Sequence, residues 1–341
     1  MNNTFKLAAV SSAALMLAAA PAMAQEGPTL RLGGYYDQKM SVQDQDSSAL
    51  VQSDVDVRQD VEIYFLGAAV LDNGIKIATR VELEGGTVGV GDTPDGGNNV
   101  QGATAQFDQI DEAFMTISGS FGSVKVGMSD TAAKGMTTGL QGTWASNVGE
   151  NMTFNTTKLF VRPATVTSRG VASQMDLNSD GEQISYTTPS LGGLQVSVGY
   201  AQNAFETFDG VTTSTTIDGD IFDIAARYTG KIGDVGFRVG GGYATANDQT
   251  VGAEDDVQWM LGGNVRFGAF QVAASFSRLE ETKLAGVTDV AGGDTIALGA
   301  RAWMGPNQFS LSYTTTQSES TVAADDGDEE TVVALAMRRA I

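Results

Sequence analysis

The sequence predicts an all-β protein: a transmembrane, antiparallel, up-and-down β-barrel of fourteen strands. Three observations point there. Period-two alternation of apolar and polar residues recurs from Gly27 almost to the end, with no sustained period-3.6 stripe after the first 24 residues. The alternating segments keep one face free of charge over about ten residues, the length a tilted strand needs to cross the hydrocarbon. Short glycine-rich turns alternate with long acidic connections between them, the layout of an outer-membrane barrel.

Residues 1–24 are set apart first. Lys6 precedes the apolar run Leu7 to Ala20, and Ala22-Met23-Ala24 has the small-x-small pattern of a signal-peptidase site. The segment reads as a secretory signal, removed before folding, with the barrel domain occupying residues 25–341. Its apolar run is too short to span a bilayer.

Length accommodates two ordinary domains or one large all-β domain, so composition has to decide. Cysteine and histidine are absent, which removes disulfides, thiol nucleophiles, imidazole bases and the commonest zinc ligands. Outer-membrane proteases and phospholipases that depend on histidine lose their usual parts, so no enzyme is expected. A net charge of −21 argues against a nucleic-acid partner, whose phosphates would be repelled. No later segment approaches about 20 consecutive apolar residues, which excludes a helical membrane protein.

The strands follow in order, near 28–40, 55–70, 75–85, 105–118, 123–129, 182–189, 194–205, 218–229, 235–246, 255–267, 270–281, 294–304, 308–317 and 331–341. In the second, Val57, Val61, Ile63 and Phe65 alternate with Arg58, Asp60, Glu62 and Tyr64; in the third, Ile75, Ile77, Val81 and Leu83 alternate with Lys76, Arg80 and Glu82. Asp72-Asn73-Gly74 between them is a tight-turn signal. Ser120-Phe121-Gly122, Leu191-Gly192-Gly193, Gly230 to Gly233, Gly268-Ala269 and Gly305-Pro306-Asn307 mark the other short connections. Aromatic residues gather near segment ends (Tyr35, Tyr36, Tyr186, Tyr200, Tyr228, Trp303, Tyr313), as an interfacial girdle requires. A soluble β-sandwich or β-solenoid would also alternate, but has no need of such a girdle or of one-sided long loops.

"DQIDEAFMTISGSFGSVKVGMSD" (Asp108 to Asp130) and "GEQISYTTPSLGGLQVSVGY" (Gly181 to Tyr200) resemble the segments flanking the third loop of Gram-negative general-diffusion porins, closest to the alphaproteobacterial type. "TLRLGGYYDQ" and "DVRQDVEIYFLGAAVLDNGIKIATRVELEG" fit the same family's opening. The resemblance implies a sixteen-stranded barrel that forms homotrimers in the outer membrane, in contact with lipid and lipopolysaccharide. It also implies a third loop folded inward, here about 130–180, that narrows a water-filled pore for small hydrophilic solutes, and no cofactor. An outer-membrane barrel without an open pore, acting as a structural or adhesive surface protein, is one alternative, and a non-functional truncated porin is another.

Two features depart from the family. The count is fourteen, and the chain ends on "VALAMRRAI" (Val333 to Ile341), which overlays "IALGARAWM" (Ile296 to Met304), without the family's final aromatic. Either the last strand pairs with the first, or a final hairpin is missing.

Alternation puts Arg31, Arg58, Lys76, Arg80, Lys125, Arg227, Arg238, Arg266 and Arg301 on the lumen face, against Asp60, Glu62, Glu82, Glu84, Glu112 and Asp223. In the family a basic wall faces acids on the third loop; the resemblance makes Arg31, Arg58, Arg80 and Lys125 the wall candidates, with Asp130 and Glu150 on the loop. The acidic half is thin: between Thr131 and Gln174 stand Lys134, Lys158, Arg162 and Arg169 against Glu150 alone. Acidic outer loops should still enrich cations at the mouth, giving a weak cation preference. "DLNSDG" (Asp176 to Gly181) resembles the opening of a calcium loop, with Asp176, Asn178 and Asp180 as ligand candidates. Thr187 occupies the position where such a loop needs a bidentate glutamate, so a plain turn is the simpler reading. "DDGDEE" (Asp325 to Glu330) reads as a solvated loop that could bind divalent cations bridging lipopolysaccharide, and "GGTVGVGD" (Gly85 to Asp92) lacks the glycine order of a dinucleotide site.

Overall fold

A computed structural model describes residues 27–42, 55–84, 110–140, 175, 177, 181–202, 218–248, 255–280, 292–319, 327 and 329–339. The signal segment, Glu150, Asp176, Asn178, Asp180 and the stretch from Gly85 to Asp92 lie outside the described residues.

Fourteen strands form one sheet in chain order: β1 (Thr29–Val42), β2 (Val55–Val70), β3 (Lys76–Glu84), β4 (Ala113–Gly119), β5 (Gly122–Met128), β6 (Glu182–Thr187), β7 (Leu194–Ala201), β8 (Asp218–Ile232), β9 (Val235–Asp248), β10 (Asp256–Phe267), β11 (Phe270–Glu280), β12 (Gly292–Met304), β13 (Asn307–Glu319) and β14 (Glu329–Arg339). Each pairs antiparallel with its sequence neighbours. One short helix, α1 (Ala132–Thr137), follows β5. The expected strands are all present. The ladder between β14 and β1 that one reading of the last strand required is not: among the described residues the sheet runs open from β1 to β14.

The hairpins form where glycine permits a left-handed residue. Ile232 pairs with Val235, Phe267 with Phe270 and Met304 with Asn307, leaving two-residue turns that begin at Gly233, Gly268 and Gly305, with φ of 58°, 55° and 60°. The β8 to β9 turn therefore lies at Gly233-Asp234, later than the expected Gly230 to Gly233. Gly230 stays within β8, paired with Phe237, whose ring occupies the space a side chain there would fill. β4 also begins later than expected, at Ala113.

Cross-strand register keeps alternation in phase around the sheet. One row runs Ile117, Val124, Tyr186, Val198, Ile224, Tyr243, Trp259. The adjacent row runs Thr116, Lys125, Ser185, Gly199, Asp223, Ala244, Gln258. The first faces outward, with Leu30, Ile63, Val239, Leu261, Leu298 and Leu335 among its exposed apolar companions. An exposed apolar surface of this extent belongs in hydrocarbon.

Aromatic pairs border the band at both levels. Near the short turns Tyr228 and Phe237 lie 5.7 Å apart and Phe267 and Phe270 5.9 Å, while the Tyr186 hydroxyl donates to the Phe121 carbonyl at 2.6 Å. Near the long connections Tyr200 meets Phe222 at 4.9 Å and Trp259 meets Phe276 at 5.1 Å. Trp303, expected in the girdle, is instead on the lumen face. It shares parity with Arg301 and pairs with Gln308, and its ring lies under two lumen arginines.

Candidate functional site

The lumen wall of β7 to β10 is built from small side chains, and α1 lies on it, in contact with β7, β8 and β9. Gly199, Gly240 and Gly242 let the chain approach closely. A Cβ on Gly199 would stand 3.1 Å from Ala132, one on Gly240 3.1 Å from Leu140 and one on Gly242 3.4 Å from Ala133. Ala133, Met136, Leu140, Met175 and Leu177 thus bury against Ala201, Ile221, Ala225, Ala244, Ala246, Met260 and Leu279. An apolar core inside a pore wall exists only because this segment folds inward to cover it, and burying each large side chain contributes roughly 1.5–3 kcal/mol.

Polar contacts fix the register of that packing. Thr131 caps α1, its hydroxyl accepting from Lys134 N at 3.0 Å and donating to the Met175 carbonyl. Asp223 accepts the Ala133 N–H at 2.5 Å. Asn264 donates to the Gly139 carbonyl at 2.7 Å, and Arg227 to Met136 O at 3.3 Å. Gln183 donates to the carbonyls of Ser129 and Asp130. Together these bonds tether both ends of the segment 129–140 to the wall.

On the opposite side, β2 to β4 hold a charged cluster. Arg80 pairs with Glu82 and lies 3.8 Å from Glu112. Its guanidinium sits 4.3 Å from the centroid of the Tyr64 ring, whose hydroxyl donates to Glu62 at 2.6 Å. Carboxylate oxygens of Glu62, Glu82 and Asp111 lie within 4.8 Å of one another and could hold a cation. Arg80 already supplies positive charge among these side chains.

Three of the expected constriction residues meet. Glu112 bridges them: one oxygen faces Arg80 and the other accepts from Asp130 N at 3.0 Å, while Lys125 Nζ donates to the Asp130 carbonyl at 2.8 Å. The Asp130 carboxylate pairs with Lys134. Arg31 stands exposed on the lumen face, in one row with Leu66 and Arg80. Arg58 of β2 pairs in register with Lys39 of β1, its side chain outside the described residues. The sequence reading did not single out Asp223, Gln183 or Asn264 for the constriction, although alternation already placed Asp223 on the lumen face. What it lacked was the partner, a backbone N–H 90 residues away.

A family model described as Gram-negative porin matches residues 11–339. This chain belongs to the Gram-negative porin family. Solved structures agree on the fold. A loop-deletion mutant of OmpT, an outer membrane protein of Vibrio cholerae, superposes with a TM-score of 0.58 at 12% identity, covering 92% of this chain and 88% of that one. The anion-selective porin from Comamonas acidovorans gives 0.57 at 18% identity, covering 91% and 84%. A porin refined at 1.8 Å resolution gives 0.55 at 18% identity, covering 92% and 90%. No curated protein matches the sequence. The porin is thus an outer-membrane diffusion channel, and the meander of strands and the outward apolar band are the parts that seat it in the membrane.

Proposed function

We propose that this porin passes small hydrophilic solutes through a lumen narrowed by the segment from about 130 to 180, with a weak preference for cations, and that it catalyses no reaction. The observation that carries this reading is the seating of α1 on the lumen wall by Asp223, Asn264 and the apolar core. A loop so anchored divides the cross-section and leaves the rest open to water. The wall candidates Arg31, Arg58, Arg80 and Lys125 and the loop candidates Asp130 and Glu150 then border the narrow part. The cation preference draws on the net charge of −21.

Residues 1–24 are proposed to direct export through the periplasm. A homotrimer is proposed from the family, one of whose solved relatives, OmpT of Vibrio cholerae, is described in a trimer form. Outer-membrane lipid and lipopolysaccharide would then contact the remaining outward face.

Single-channel recording in a planar bilayer tests the proposal. Regular ohmic steps with a reversal potential on the cation side support it; anion preference would defeat the selectivity, and absent steps the channel. A second reading, a plugged barrel with a structural or adhesive role, draws on the same buried core inside the wall. It predicts membrane insertion without conductance.

A further inference from the structure

Two lumen arginines meet beneath the last turn of the inward segment. Register places Arg227 on β8 opposite Gly240, and Arg238 on β9 two residues before that glycine, a cross-strand diagonal of about 7–8 Å. Arg227 donates to the Met136 carbonyl from one nitrogen and to Gln195 Oε1 from another, each at 3.3 Å. A Cβ on Gly139 would stand 3.4 Å from Nη1 of Arg238, so that guanidinium reaches the same stretch of chain. Gln195 and Gly240 pair with Arg227, and Thr229 and Asn264 with Arg238, so every paired lumen position is neutral. Asp223 shares the lumen face of β8 but stands four residues away, about 13 Å along the strand, and accepts from Ala133 N. Among the described residues, Arg238 makes no hydrogen bond or ion pair, and Arg227 makes only its two bonds to neutral oxygens.

Two guanidiniums this close repel each other, and neutral oxygens offset that only weakly. Both Arg227 contacts are also long, since a well-formed N–H···O bond spans about 2.7–3.2 Å. An anion between the two arginines would be held by both forks and would screen their repulsion. Hydrogen bonds to an ionised acceptor are roughly twice as strong as neutral ones, so the anion would win the Arg227 donors from Met136 O and Gln195. Planar forks suit oxygen acceptors set at fixed angles, which a small oxyanion has and a chloride ion lacks. Asp223 and Asn264 meanwhile keep their bonds to Ala133 N and the Gly139 carbonyl. The segment then loosens at Met136 without leaving the wall.

We propose that Arg227 and Arg238 form a lumen site for a small oxyanion, such as inorganic phosphate, and that its occupancy loosens the adjoining end of the segment 129–140. Passage through the channel then responds to the anions it carries. The response rests on the channel reading, whereas the binding does not. A weak cation preference at the mouth is compatible with the site, which lies on the wall beneath the segment.

Two measurements on protein recovered from outer membranes test it: single-channel recording in a planar bilayer, and calorimetric titration of the detergent-solubilised protein with inorganic phosphate. In potassium chloride at fixed ionic strength, added phosphate should increase current fluctuations to a plateau, and the titration should show saturable heat over the same range. Arg238→Gln should raise the half-maximal phosphate concentration about tenfold in both, the loss of one charge-assisted hydrogen bond. Arg227→Gln removes the bond to the Met136 carbonyl as well as half of the site. It should fluctuate without phosphate and gain little from its addition.

Arg238→Lys keeps the charge without the fork and should fall between wild type and Arg238→Gln, which gives a reading even if the neutral variant does not insert. Lys231→Gln removes an equal charge from an exposed position near the β8 to β9 turn and should leave both responses unchanged. Regular steps indifferent to phosphate with no saturable heat, or equal effects of Lys231→Gln and Arg238→Gln, would overturn the site while leaving the channel intact. Saturable heat without added fluctuations would overturn the loosening. Saturable heat that Arg238→Gln weakens, from protein that shows no conductance, would overturn the channel reading and leave the site standing; neither heat nor conductance would overturn both.

Discussion

Asp223 on β8 accepts the backbone N–H of Ala133 at 2.5 Å, so one carboxylate on the lumen wall holds the first turn of the only helix among the described residues. The bond is buried, and Gly199 beside it has no side chain to displace the carboxylate. A buried N–H left without its acceptor costs about 1–3 kcal/mol. Replacing Asp223 by Ala should therefore free the segment 131–140 from the wall. Single-channel recordings of the variant should show altered mean conductance and larger current fluctuations, with insertion retained. Asp223→Asn keeps an oxygen acceptor and should show a smaller change.

Gly199→Val should reproduce the Asp223→Ala phenotype without touching that carboxylate chemically. A Cβ at 199 would meet Asp223 directly and approach Ala132 to 3.1 Å. The same fluctuations are expected in recordings; unchanged current from a folded Gly199→Val protein would show that the helix does not depend on this close approach.

Removal of Arg80 leaves Glu82 and Glu112, both under a tenth exposed, without their common cation. Breaking a buried pair by deleting one partner costs about 3–5 kcal/mol. Arg80→Gln should lower the denaturant midpoint for unfolding. It should also move the reversal potential in a potassium chloride gradient further toward cations, since a positive charge is lost from an acidic patch. Glu112→Gln should move it the opposite way.

Leu261, near the middle of β10, faces outward and is 62% exposed in the isolated chain. Lysine there should cost about 2–4 kcal/mol of stability in a bilayer, the penalty for a cation near the midplane of a barrel's lipid face. Unfolding from lipid vesicles by denaturant measures it. Leu261→Val should stay within about 1.5 kcal/mol of wild type.

The strands were legible because their signals are local. Val57 to Phe65 declares its two faces by alternation alone, and Asp72-Asn73-Gly74 turns where Leu71 N donates to the Ile75 carbonyl at 2.8 Å. Trp303 was misjudged because its nearness to a strand end suggested a girdle, although its parity with Arg301 already placed it in the lumen. The helix escaped because six residues give less than two turns of period. Its partner surface also gives little signal in sequence, since glycine and alanine (Gly199, Gly240, Gly242, Ala225, Ala244) make up much of it.

The sequence by itself determined the strand order, the outward apolar band, most of the turn positions and the list of charges that line the lumen. These follow from nearest-neighbour rules: side chains alternate at every residue, and glycine turns wherever φ must be positive. Only the tertiary structure decided which of those charges act on one another. Arg80, Glu112, Asp130 and Lys125 form one network, Asp223 holds the first turn of a helix, and Arg266 shares an indole with Arg301. Such pairings depend on strand stagger and on how deeply a loop folds inward. Both arise from contacts between residues tens of positions apart, which no local pattern encodes.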